Sequence, residues 1–152
     1  GTTFSIYFPS LPARQSEPVS QPHDITRYQG TGTIMVVDDE EPIRDLFKEL
    51  LEDCGYTVDL YENGKHALAA FEDTPGRFDL IVTDMTMPQV SGDILAQQVL
   101  KLKPEIPIFL CTGFSEQMSE IRARDLGIRQ YFQKPVDSQA LLKSIHEVLS
   151  TP

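Results

Sequence analysis

The chain has 152 residues, 40% of them apolar and 24% charged, a usage typical of chains that bury one core. Single domains most often run to about 100–150 residues, so one domain and a tail fit, but two catalytic domains do not. Lys plus Arg number 13 against 23 Asp plus Glu, and the resulting net charge of −10 repels phosphate backbones and anionic lipid. Direct binding to nucleic acid or to a membrane surface is therefore not expected. No apolar run approaches the roughly 20 residues that cross a bilayer, and no signal-peptide pattern opens the chain, so a cytoplasmic location is expected. Cys54 and Cys111 have neither CxxC spacing nor a disulfide-rich setting and read as buried free thiols.

Charge divides the chain. Residues 1–32 hold Arg14 and Arg27 against Glu17 and Asp24, so the whole excess of acid lies beyond them. Pro9, Pro12, Pro18 and Pro22, interleaved with Ser, Gln and Thr and without an apolar period, read as an extended linker over residues 10–31. From Thr33 onward, short β-branched runs alternate with helical periods. The predicted strands are Thr33–Val37, Thr57–Tyr61, Asp79–Thr83, Pro107–Cys111 and Arg129–Phe132. The predicted helices are Pro42–Cys54, stopped by Gly55; Gly64–Asp73; Gly92–Lys101; Glu116–Leu126, stopped by Gly127; and Ser138–Leu149. Pro42 suits a first helical turn, and Asn63, Ser115 and Asp137 suit N-caps.

Five strand-then-helix units imply right-handed crossovers and a doubly wound parallel α/β sheet with helices on both faces. In such sheets ligands bind where loops leave the carboxyl ends of the strands. The first strand ends there in Asp38-Asp39-Glu40-Glu41, where a nucleotide-binding fold would offer glycines to phosphate. Adjacent carboxylates repel unless a cation joins them, and hard oxygen ligands suit Mg²⁺, although acids at a helix start are also favourable with the helix dipole. The third strand runs to Asp84, the fourth to Thr112-Gly113 and the fifth to Lys134-Pro135. Each residue alone is commonplace. Together, a nucleophilic carboxylate at Asp84, a cation at Asp38 and Asp39, a hydroxyl at Thr112 and an ammonium at Lys134 are the parts needed to accept a phosphoryl group.

Val36-Val37-Asp38-Asp39-Glu40, Asp84-Met85-Thr86-Met87-Pro88 with Gly92, Thr112-Gly113 and Lys134-Pro135 together resemble a two-component response-regulator receiver domain, over about residues 32–150. The resemblance implies a flavodoxin-like (βα)5 sheet in the order 2-1-3-4-5. It implies that Asp84 is the phosphoacceptor, and that Mg²⁺ is held by Asp39, the Asp84 carboxylate and the backbone carbonyl of Thr86, with Asp38 acting through water. Lys134 would pair with the phosphoryl group, and Thr112 would move toward it. Tyr131 matches the switch aromatic that turns inward when Thr112 moves. Thr86 and Phe114 match positions that modulate phosphoryl lifetime, and the Lys134–Pro135 bond is often cis in this family. The chain itself would be no enzyme, losing its aspartyl phosphate slowly.

Gly1-Thr2-Thr3-Phe4-Ser5-Ile6-Tyr7-Phe8-Pro9 is similar to the last strand of the ATP-binding domain of sensor histidine kinases. Placed before a linker and a receiver, it implies the carboxyl-terminal part of a hybrid histidine kinase whose membrane anchor, where it has one, lies elsewhere. With Pro152 soon after the fifth helix, no DNA-binding output domain is expected to follow. The expected partners are then a histidine kinase core or a histidine-containing phosphotransfer protein, and a receiver homodimer is the remaining association allowed. Two other classes compete. An aspartate-nucleophile phosphatase of the haloacid dehalogenase type needs a second Asp two residues after the nucleophile, where Thr86 stands. A receiver-like interaction module that is never phosphorylated usually lacks one of the pocket residues, all of which are present here. A flavin-binding module is disfavoured by the acidic first loop.

Overall fold

A computed structural model describes residues 25–113 and 120–150. Five strands, β1 (Thr33–Val37), β2 (Thr57–Tyr61), β3 (Leu80–Asp84), β4 (Ile108–Thr112) and β5 (Gln130–Gln133), form one sheet in the order β2-β1-β3-β4-β5. Every pairing between neighbours is parallel. The helices are α1 (Glu41–Asp53), α2 (Gly64–Asp73), α3 (Gly92–Leu102), α4 (Glu120–Asp125) and α5 (Ser138–Ser150). This is the doubly wound α/β fold expected from the strand-helix alternation.

Alternation along the strands builds the two halves of the core. Ile34 and Val36 of β1 join Phe47 and Leu51 of α1 and Leu141, Leu142 and Ile145 of α5 on one face. Met35 and Val37 face the other way, among Phe71 of α2, Leu95 and Val99 of α3 and Ala123 of α4. β3 and β4 are buried at every position, as parallel strands covered on both sides require. Hydrophobic burial on both faces therefore fixes the register, and with it the level at which every strand ends.

Local signals act as their chemistry demands. Asn63 Oδ1 accepts from the His66 N–H at 2.8 Å and Asp137 Oδ1 from the Gln139 N–H at 2.9 Å, capping α2 and α5. Gly55 and Gly127 take φ of 93° and 86°, conformations that end α1 and α4 at little cost only for glycine. The structure extends β3 and β4 by one residue beyond their expected ends, to Asp84 and Thr112, and starts both one residue later. β5 likewise runs to Gln133. Residues 116–119 of the fourth predicted helix, the Ser115 cap and Phe114 lie outside the described residues, as do residues 1–24.

Of the segment read as linker, residues 25–31 are described, and they fold onto the domain rather than extending from it. Ile25–Tyr28 makes a 3-10 turn, Tyr28 sets its ring edge-on to His146 of α5 at 6.1 Å, and the Gly30 N–H donates to the Cys54 carbonyl at 2.9 Å. Tyr28 and the close approach of Gly30 to Tyr56 supply the apolar contact that a polar, proline-bearing composition conceals. Among the described residues no helix is long and apolar enough to cross a membrane.

Candidate functional site: an acidic pocket at the carboxyl edge of the sheet

Parallel pairing brings the carboxyl ends of β1, β3, β4 and β5 to one edge, and the backbone ladder continues past them. The Asp38 N–H donates to Tyr61 at 3.1 Å, the Met85 N–H to Cys111 at 2.8 Å and the Lys134 N–H to Thr112 at 2.7 Å. These bonds hold the first residue of each loop as firmly as the strand before it. Behind the pocket, Gly92 opens α3 so close to Asp84 that an added Cβ would collide with the Asp84 carbonyl oxygen. Glycine is needed there because only a bare Cα lets helix and strand approach this closely.

Carboxylate oxygens of Asp38, Asp39 and Asp84 all lie within 4.8 Å of one another. Asp38 and Asp84 are buried and Asp39 is exposed at the mouth. Lys134 reaches in from the β5 side, its Nζ 3.0 Å from Asp84 Oδ1 and 3.3 Å from Asp38 Oδ2. Lys134 thus bonds two of three clustered carboxylates, and a divalent cation with a preference for hard oxygen ligands is what that donor set suits.

The pocket perturbs its own acids and bases. Burial raises the Asp38 carboxyl above its ordinary value, opposed by the bond its Oδ1 accepts from the Glu40 N–H at 2.9 Å and by Lys134. Burial alone would lower the Lys134 ammonium, but its hydrogen bond to Asp84 and the charges of Asp38 and Asp84 outweigh it, so the group is held above the usual lysine range. Cys111, opposite Asp84 in the β3–β4 register, is pushed up to about 12 by burial and stays a protonated thiol. Cys54 is buried as well, as expected.

Thr112 is fully buried, and its hydroxyl donates to the Tyr131 hydroxyl at 2.7 Å. Tyr131 is half-buried against the core. Thr86 stands exposed two residues beyond Asp84. The Lys134–Pro135 bond is cis. Beside Lys134 an apolar cavity of about 450 Å³ opens between α1 and the β5–α5 loop, lined by Ile43, Leu46, Phe47, Pro135 and Val136. Asp38, Asp39, Asp84 and Lys134 thus meet in one cluster, Thr112 and Tyr131 join each other beside it, and Thr86 lies in the loop beyond Asp84. Sequence reasoning missed Arg44, whose Nη1 donates to the Asp38 carbonyl oxygen at 2.7 Å. Its one outward sign is a cation in the first turn of α1, where the helix dipole favours acids.

A doubly wound parallel sheet with an acidic pocket and one lysine at its carboxyl edge defines a narrow class of signalling domain. Residues 34–146 match the response regulator receiver domain family, and the chain belongs to it. A response regulator receiver domain protein from Clostridium thermocellum is 30% identical in sequence, superposing with a TM-score of 0.74 over 78% of this chain and 94% of that one. A CheY-like receiver domain protein from Methanospirillum hungatei, also 30% identical, gives 0.73 over 80% and 95%. The sensor kinase CckA of Brucella abortus is 29% identical over 162 residues, 98% of this chain and 16% of the kinase. The phosphate regulon regulatory protein PhoB of Pseudomonas aeruginosa is 34% identical over 119 residues, 77% of this chain and 51% of PhoB. The chain thus spans from about a sixth to about half the length of these two relatives. It is a receiver domain of two-component signalling.

Proposed function

We propose that Asp84 accepts a phosphoryl group from a phosphohistidine, and that the domain over residues 32–150 passes this state to a partner in a phosphorelay. The observation that carries the reading is the Asp84 carboxylate, buried yet only 3.0 Å from the Lys134 ammonium and grouped with two further carboxylates. An Asp84 oxygen attacks phosphorus, the P–N bond breaks, and its electron pair leaves with the imidazole nitrogen. Transfer of this kind asks the protein for positioning and for neutralisation of charge on the equatorial oxygens, more than for covalent chemistry. Lys134 supplies one positive charge in place, and the buried walls of β3 and β4 keep bulk water from weakening it. Asp38, Asp39, Asp84 and the Thr86 carbonyl would hold Mg²⁺, which when bound supplies the remaining neutralisation.

Phosphorylation adds about −1.5 to −2 charge and three acceptor oxygens at the pocket. The Thr112 hydroxyl, now given to Tyr131, gains a stronger acceptor in the phosphoryl group. Moving toward it would release the Tyr131 hydroxyl and let that ring turn inward, biasing the face made by α4, β5 and α5. Histidine kinase cores and histidine-containing phosphotransfer proteins are the partners whose chemistry fits. The segment before the domain supports placement after the ATP-binding domain of a hybrid sensor histidine kinase in the cytoplasm. Residues 1–9 would close the kinase's ATP-binding domain and residues 10–31 would link it to the receiver. Similarity to the CckA kinase over 98% of this chain favours that arrangement.

The test is intact-mass analysis after incubation with a small-molecule acyl phosphate, with and without Mg²⁺, on this chain and on Asp84→Asn. One phosphoryl adduct that needs Mg²⁺ and is absent from the variant is the expected result. Folded protein with no adduct under any donor would instead mark an interaction module that keeps the fold without the chemistry.

A further inference from the structure

Three groups grip the Asp38-Asp39 corner. The Glu40 N–H and Lys134 Nζ both take hold of the Asp38 carboxylate, at 2.9 and 3.3 Å. The third, Arg44 Nη1, takes the Asp38 backbone carbonyl instead, at 2.7 Å. That carbonyl belongs to the peptide unit that joins Asp38 to Asp39. Holding it fixes the rotation of the peptide plane, and hence the direction in which the Asp39 carboxylate leaves the chain.

We propose that Arg44 is a positioning residue for the divalent cation, orienting the Asp39 carboxylate through the Asp38 carbonyl. The inference rests on the reading that Asp38, Asp39 and Asp84 hold that cation. Asp39 is the exposed member of the cluster and has the least packing to orient it. Arg44 is half-buried and anchored on α1, where its own N–H donates to Glu40 at 3.1 Å, so the helix carries the bond rather than a mobile loop. A guanidinium close to the pocket should oppose a metal cation by simple charge repulsion. The structure accepts that opposition, and a cation at the start of a helix, in exchange for a charge-assisted bond to one carbonyl.

Charge and positioning predict opposite signs, which makes the test sharp. Mg²⁺ alone is titrated into the full chain and binding is followed by amide NMR shifts, with no phosphoryl donor. If charge alone mattered, Arg44→Met would bind Mg²⁺ more tightly than the unaltered chain. Positioning predicts weaker binding by about 10-fold or more, the range seen when groups that orient metal ligands are removed. Arg44→Lys keeps the charge and a donor and is expected to bind within a few-fold of the original. The Asp39 amide, which shares the peptide unit, should shift in metal-free Arg44→Met and much less in Arg44→Lys. Equal or tighter binding by Arg44→Met overturns the proposal, as does equal weakening in both variants. If Arg44→Met does not fold, an Asp39 amide resonance displaced in Arg44→Lys as far as by Asp38→Asn overturns it as well. Absence of Mg²⁺ binding by the unaltered chain would sink the reading of the pocket itself, a different result from either.

Discussion

The two edges of the sheet are built from similar residues under opposite rules. At the amino edge, Asp79 is exposed, its Oδ2 accepts from the Thr33 N–H at 2.8 Å, and its own N–H donates to the Thr33 carbonyl at 2.9 Å. That carboxylate stands in water and has a backbone partner. At the carboxyl edge, Asp38 and Asp84 are buried together and share one lysine. Burying like charges costs free energy that no local bond recovers in full. An acid at the amino edge holds the fold together, whereas the acids at the carboxyl edge are held by the fold.

The contrast breaks most visibly at Lys134. Lys134→Met removes the ammonium that bonds both buried carboxylates, and breaking such a pairing costs about 3 kcal/mol in the metal-free protein at neutral pH. The pH dependence has a definite sign. Burial raises the folded pKa of Asp38 above its unfolded value, so its contribution to stability is present in full below the unfolded value and is lost as pH rises through the folded one. Without Lys134 that folded pKa climbs further, and the variant should recover stability on acidification at a higher pH than the unaltered chain does. For Lys134 itself, also raised, stabilisation lasts through the ordinary lysine range and is lost only as pH passes its folded value. Urea midpoints measured in chelator across roughly pH 4–8, a span about the carboxylate range, would show the Asp38 window in both proteins, with the Lys134 window lying above that span. A flat difference between the two proteins would mean the pair is not coupled to folding.

A smaller effect separates two glycines. Gly92→Ala drives a Cβ into the Asp84 carbonyl and to within 2.9 Å of Leu110 Cδ1, so backbone must shift, at about 2 kcal/mol. Gly76, in the α2–β3 connection near the amino edge, has nothing within 4 Å of an added Cβ, and Gly76→Ala should change stability by less than about 0.5 kcal/mol. Phosphorylation should slow in the first variant and be unaltered in the second. Equal thermal midpoints for the two would show that α3 does not press on β3 as closely as the structure places it.

Much of this arrangement is legible in the sequence, because parallel strands with alternating helices put every strand end at one level. Asp38, Asp84, Thr112 and Lys134 converge for that reason alone. Sequence alone misplaces the ends of β3 and β4, because Asp is depleted in strands and Thr112, standing before Gly113, reads as a turn hydroxyl. Both residues instead pair within the sheet, Asp84 with Cys111 and Thr112 with Gln133. Polar residues inside strands are where a functional site overrides propensity. Arg44 stayed hidden for a different reason: its partner is a backbone carbonyl, which every residue owns and no sequence pattern marks. The turn at Ile25–Tyr28 was hidden likewise, resting on Tyr56 and His146, which are distant in sequence.

Asp79→Ala is the mildest way to sharpen the comparison. The Thr33 N–H loses a charged acceptor at an exposed position, where water replaces much of the bond, so stability should fall by about 1 kcal/mol. Asp79→Asn, which keeps an acceptor oxygen, should fall by less. Because the amino edge lies a full strand length from the pocket, Mg²⁺ binding and the yield of phosphoryl adduct should be unaltered in both variants. A change in Mg²⁺ affinity in Asp79→Ala would mean that β1 transmits a shift of its first residue to Asp38 at its far end. The acids of the two edges would then act on each other through the strand, and the division between an acid that supports the fold and acids that the fold supports would no longer hold.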